Sequence, residues 1–203
     1  MVPMAKEADI KKKQLQENYI QAILLAEVVK RILVRKAEIR LSAKPTLTLK
    51  PLVEFRKRMR ISSIEKFPVK TYVSVINFYQ NREDEKQSKV LGALIIYIPE
   101  NFIIRLFEAL NYPELDEDDE VGLDDACGTF CNLVAGNFKS GLTQLGFDEP
   151  LMSHFSSFHD EAPKGVTYPR LQQQYYEIGF EVMDQKCIVA DLVMGSVRRI
   201  YSI

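Results

Sequence analysis

Cys127 and Cys131, four residues apart, are spaced to meet on one face of a helix, where two thiols can form a reactive pair. Their surroundings are apolar, which favours packed thiols instead. With Cys187 they make an odd number, unsuited to a disulfide framework. His154 and His159 are the only histidines and would need Asp160 to complete a metal site, but their five-residue separation fits no one-face spacing. Surface or capping roles are expected for them, and no metal is assigned. Carboxylates fill eight of the twelve positions from 114 to 125. A calcium loop of the EF-hand kind starting at Asp116 would require Gly at Val121 and Glu at Cys127, and both fail. The carboxylates instead suit the N-terminus of the helix that follows, through its macrodipole. The densest basic patch, Arg56, Lys57, Arg58 and Arg60, is not interleaved with aromatics on a recognisable fold, so nucleic acid is not an expected partner. No Walker A loop, GxGxxG after a strand, HExxH, CxxC pair or GxSxG occurs.

The informative segment is the helix expected over residues 121–145. At 100° per residue Leu123, Cys127, Phe130, Val134, Phe138 and Leu145 fall together as its buried stripe. Asp125, Thr129, Asn132, Gly136, Lys139 and Thr143 lie on the opposite face. Asn132 projects outward from mid-helix, where Asn has mediocre propensity and no capping role. A mid-helix Asn on a solvated face is common, so its meaning depends on context.

The elements that hold this helix are legible from period and punctuation. From Asp9 to about Arg40, Leu15, Tyr19, Ile23, Val29 and Leu33 recur near a helical turn without Gly or Pro, which predicts one long amphipathic helix. Pro45 and Pro51 then break a connecting stretch up to Arg60. Residues 69–80 and 89–98 are β-branched and aromatic, flank a polar run and read as a hairpin. Pro99 starts a helix whose apolar face, Phe102 to Leu110, should cover that hairpin. Residues 151–158 offer a further strand. Alternation from Tyr176 to Val182 and from Ile188 to Met194 about a turn at Asp184 and Gln185 gives a second hairpin. The order predicts an α+β fold, an antiparallel sheet with long helices packed on one face.

The 203 residues are expected to form a single domain, with residues 1–60 a basic N-terminal helix and connection. Residues 1–70 carry 17 Lys and Arg against 7 Asp and Glu, a balance of +10, and the remainder carry 10 against 21, a balance of −11. Such asymmetry suits either a charged partner or a basic segment lying on an acidic one. The longest apolar run, Val90 to Ile98, is half what a membrane span needs, and the first residues lack the apolar run of a signal peptide. No membrane association and a cytoplasmic location are therefore expected.

Gly128, Thr129, Phe130, Cys131, Asn132, Leu133, Val134, Ala135, Gly136 and Asn137 resemble the motif G-E-x-x-N-M-I-A-G-N of the CheC, CheX and FliY chemotaxis phosphatases, with CheX the most similar. The order of elements fits that family along nearly the whole chain. The resemblance implies a CheC/CheX-like fold and, as partner, a phosphorylated CheY-type response regulator. In it the motif acid anchors the partner's lysine and the Asn amide aligns a water for attack on the aspartyl phosphate. Carried over, the catalytic residues are Asn132, Asp125 and Thr129, with Gly136 and Lys139 in partner binding. No cofactor of its own is implied, since Mg²⁺ would be bound by the response regulator. Thr129 stands where the family has its acid, and Asp125, one turn earlier on the same face, is the carboxylate able to substitute. Either the chain hydrolyses the phosphoryl group with that shifted acid, or it is a non-catalytic interaction module of the same fold. A homodimer formed through the edge of the terminal hairpin is a further implication.

Overall fold

The computed structural model describes residues 3–55, 59–61, 66–113, 115–161, 163 and 166–200, and of 3–13, 53–55 and 59–61 the backbone alone. The basic residues Arg56, Lys57 and Arg58 lie outside the described residues, as does the side chain of Arg60. The chain runs α1 (Pro3–Arg31), a π-helical extension (Ile32–Lys36), β1 (Thr46–Pro51), β2 (Val53–Phe55), β3 (Met59–Ile61), β4 (Thr71–Tyr79) and α2 (Arg82–Lys86). It continues with β5 (Gly92–Pro99), α3 (Glu100–Ala109), α4 (Glu120–Gln144), β6 (Leu151–Met152), β7 (Ser156–His159), β8 (Gln174–Val182) and β9 (Gln185–Met194).

The hairpins β4–β5 and β8–β9 join through β5 and β9 into one antiparallel sheet, ordered β1-β8-β9-β5-β4-β6, with β7 also on the outer side of β4. The architecture is α+β. One face buries Tyr72, Ile76, Phe78, Leu94, Ile96 and Ile98 of the first hairpin and Ile178, Phe180, Ile188 and Ala190 of the second against α1, α3 and α4. These residues alternate along their strands, so period two alone assigns them to one side.

The long first helix forms, but its buried side differs from the expected stripe. Leu15, Tyr19 and Ile23 are exposed, while Ala22, Leu25, Ala26, Val29, Ile32 and Leu33 are buried. Each four-residue step advances the azimuth by about 40°, so a series spaced by fours rotates off the packed face, and the i, i+3, i+4, i+7 series stays on it. The terminal hairpin also lacks the free edge a sheet-to-sheet dimer would need. β1 pairs along β8 from Thr46 opposite Gly179 to Pro51 opposite Gln174, and β9 is internal.

The second sheet face is covered too. Leu52, Val73, Val75, Ala93, Ile95, Tyr97, Tyr168, Tyr175, Val189 and Val193 form a smaller apolar cluster there. Within it Lys66 Nζ donates to Glu177 at 2.5 Å and Asp191 at 3.0 Å, and Lys50 Nζ donates to Glu177 at 2.6 Å. Asp191 is wholly buried although its strand alternation matches an outward position, because both faces of β9 are covered. No helix among the described residues is long and apolar enough to cross a membrane.

Candidate functional site

Helix α4 forms where its period predicts. Asp119 is the N-cap, its side chain accepting from the Gly122 N–H at 3.0 Å, which gives the acidic approach a local capping role. The helix ends at Gln144, and Gly146 turns the chain away at φ +82°. Leu145, expected in the buried stripe, is the C-cap and is 47% exposed, because it follows the last helical turn. Leu123, Cys127, Phe130, Val134 and Phe138 are buried against the sheet, with the Phe138 ring 5.8 Å from that of Phe78 on β4.

This packing fixes the opposite face. Asp125 and Asn132 are exposed, while Thr129, Gly136, Lys139 and Thr143 are partly exposed. No hydrogen bond or ion pair among the described residues engages the side chain of Asn132, Thr129 or Asp125. The Asn137 amide, by contrast, donates to the Leu133 carbonyl at 2.8 Å. Thr129 lies three residues before Asn132 and Asp125 seven before it, about 4.5 Å and 10 Å along the helix axis. Of these two, only Thr129 is an immediate neighbour of the amide. Lys139 is tethered to Glu149 at 2.9 Å.

Two features of this region have no signature in sequence. The loop between β6 and β7 lays the Phe155 ring where a side chain at residue 128 would stand, so Gly128 is required for the contact. Beside it, His159 is neither a surface nor a capping residue. It stacks on Tyr72 at 4.3 Å between ring centroids and lies 3.6 Å from Glu120, whereas His154 is exposed. Burial raises the neighbouring Asp124 carboxyl above its usual range, His159 opposes the rise and Glu120 adds to it. Burial and the nearby Asp124, Glu120 and Glu100 push the Tyr72 hydroxyl up to about 12. Asp124 thus turns inward, while Asp125 remains in solvent. Among the described residues no group of three or more histidine, cysteine or carboxylate side chains is placed to hold a metal ion.

The cysteines stand apart from this face. All three are buried, and burial pushes the Cys131 and Cys187 thiols up to about 12 and Cys127 well above its usual value. Cys131 Sγ donates to the Ser74 carbonyl at 3.6 Å. With so little thiolate and no access, the thiols are expected to react with a thiol reagent only as the protein unfolds. Labelling of the native protein at the rate of the denatured chain would contradict this.

No family model matches the chain, and no curated protein matches it in sequence. Its fold does match solved structures. A CheC-like superfamily protein from Shewanella sp. PV-4 superposes with a TM-score of 0.59 at 16% identity, covering 87% of this chain and 97% of that one. A chain of the CheX–CheY–BeF3–Mg²⁺ complex from Borrelia burgdorferi gives 0.53 at 14% identity, covering 86% and 97%. FliY from Thermotoga maritima gives 0.52 at 14%, covering 96% and 92%.

Proposed function

From a chain that has the fold of the CheC, CheX and FliY structures, we propose a cytoplasmic chemotaxis or two-component signalling protein that acts on a phosphorylated CheY-type response regulator. The observation that carries this reading is Asn132, exposed on the outer face of α4 with its amide engaged by no other described group. An aspartyl phosphate is an activated acyl phosphate, so a protein that only positions water can accelerate its loss. With the response regulator against α4, the Asn132 amide holds a water in line with the phosphorus. The water oxygen attacks, the bond from phosphorus to the aspartyl oxygen breaks, and phosphate leaves the regenerated carboxylate. Mg²⁺ belongs to the response regulator and balances charge on the phosphoryl oxygens.

Thr129 separates two forms of this function. A threonine one turn from the amide carries no charge, and Asp125 is a further turn away. As a phosphatase, the protein draws its anchoring carboxylate from Asp125. The interaction module, favoured by the uncharged Thr129, engages the partner and leaves the phosphoryl group in place. The test is to mix the protein with phosphorylated CheY-type response regulators and Mg²⁺ and follow the phosphoryl group. Accelerated loss supports the phosphatase, and binding without acceleration supports the module. Thr129→Glu places a carboxylate one turn from Asn132 and is expected to raise the rate severalfold, as a charge-assisted contact does. An unchanged rate with docking intact would remove the anchoring role from that position.

A further inference from the structure

Helix α1 ends in a widened turn. Over Ile32–Lys36 it takes π geometry, with the Ala37 N–H donating to the Ile32 carbonyl at 3.1 Å and the Ile39 N–H to the Leu33 carbonyl at 2.9 Å. Glu38 reverses the chain at φ +53°, and residues 39–45 return beside the end of the helix. Ser42 pins this return to the β8–β9 turn, its N–H donating to the Glu181 carbonyl at 2.9 Å and its hydroxyl accepting from the Asp184 N–H at 2.7 Å. Between helix and return lies an open groove of about 410 Å³, with Val34, Ile39, Leu41, Ala43 and Pro45 as its apolar lining and Arg40 and Lys44 beside them. Residues 30–44 carry six Lys and Arg against Glu38 alone. Lys30 and Arg31 share Glu27 at 3.2 and 2.8 Å, whereas Arg35, Lys36, Arg40 and Lys44 are exposed and make no ion pair with any described residue.

The complementary charge stands elsewhere on the same chain. Residues 116–125 carry seven carboxylates and no cation, and residues 116–121 are all exposed. Asp119 caps α4 and Glu120 faces His159, but the Glu117 and Asp118 carboxylates meet no cation among the described residues. Directly after them Val121 is 80% exposed, an apolar knob among acids. No ion pair among the described residues joins this segment to residues 30–44 of its own chain. We infer that the groove at the end of α1 receives the acidic segment 116–121 of a second copy of this chain, Val121 entering the apolar lining while Glu117 and Asp118 meet Arg40 and Lys44. A net charge of −1 leaves two copies little overall repulsion. Nucleic acid suits the cationic rim but not the groove, where no aromatic side chain offers a base a stacking surface. The two halves of the contact differ, so copies meet head to tail, and a contact this small is weak and sensitive to salt.

The test is sedimentation equilibrium of the whole protein. At about 100 µM in about 30 mM salt the mass is expected to exceed that of the monomer, and to fall to it at about 0.5 M salt as screening shortens. Arg40→Glu with Lys44→Glu, and separately Glu117→Lys with Asp118→Lys, reverse exposed charges, so each pair is expected to hold the Tm within about 2 °C and to leave the protein monomeric. An equimolar mixture of the two variants restores opposite charges across the contact and is expected to associate again. Val121→Ser keeps every charge and is expected to weaken association about tenfold, an effect that attraction between charged patches alone does not give. A monomeric wild type in low salt overturns the inference, and capture of an oligonucleotide by that monomer assigns the rim to nucleic acid. Folded charge variants that associate like wild type overturn it too, as does a mixture that stays monomeric. Should either charge pair lower the Tm further, Val121→Ser decides, and association equal to wild type overturns the inference.

Discussion

Asn132→Ala is expected to slow protein-stimulated loss of the phosphoryl group by about a hundredfold or more, the scale on which misplacing a reacting group costs rate. The amide makes no hydrogen bond with any described group, and its side chain is exposed, so its removal leaves the packing of α4 unchanged. Alanine also favours helix over asparagine, so the Tm should hold or rise slightly. On the proposed function Asn132 acts on the water, so binding to a beryllium fluoride-loaded regulator should change little. Rate, Tm and Kd measured together distinguish a positioning amide from a docking contact. An Asn132→Ala protein that keeps the wild-type rate removes water positioning by this residue.

Lys66→Met is expected to destabilise the fold by about 3 to 5 kcal/mol, the usual consequence of stripping one partner from a buried ion pair. The Lys66 side chain is 2% exposed, pinned between Glu177 and the wholly buried Asp191 and 5.1 Å from the Tyr97 and Tyr175 ring centroids. Methionine fills similar space and leaves those carboxylates without the ammonium. The same network shapes the pH dependence. Burial disfavours the Lys66 charge, but Asp191 and Glu177 outweigh it and hold its pKa above the usual lysine value. Its contribution is therefore complete below the usual lysine range and fades as pH rises through the higher folded value. Burial likewise disfavours ionised Glu177, and hydrogen bonds from Lys50 and Lys66 overcome that and keep its pKa low. Its contribution is complete above the usual carboxylate range and fades as pH falls through the lower folded value. Urea unfolding across pH should show a plateau through neutrality, and Lys66→Met should lower it and remove the alkaline decline. A loss below about 1 kcal/mol, as for an exposed pair, would mean the lysine is not buried in solution.

The outer face of α4 was legible because one helix carries Asp125, Thr129, Asn132 and Gly136, and a 3.6-residue period places them without knowledge of any other element. The two long hairpins were legible for the same local reason, alternation bounded by turn residues. What stayed hidden depends on distant chain segments. Phe155 reaches Gly128 and Glu149 reaches Lys139 from beyond the end of the helix, and nothing in the spacing of either pair announces the contact. Asp191 reads as an outward polar residue until Lys66, 125 residues earlier, is seen beneath the sheet. Leu15, Tyr19 and Ile23 were misassigned by periodicity itself, since a strict spacing of four follows no fixed side of an α-helix.

The strand order also dictates when the molecule can become itself. β1 finds its place only beside β8, and β5 gains its second neighbour only in β9, whose last residue is Met194. A chain leaving the ribosome therefore completes α1, α3 and α4 while the sheet they cover is still missing half its width. Their apolar sides must wait until β9 has been made as far as Met194. Assembly is then led by long-range pairing, with high contact order and slow closure. The last hairpin, remote in sequence from Asn132, is the piece whose arrival turns a set of helices into the packed layer whose outer face carries Asn132.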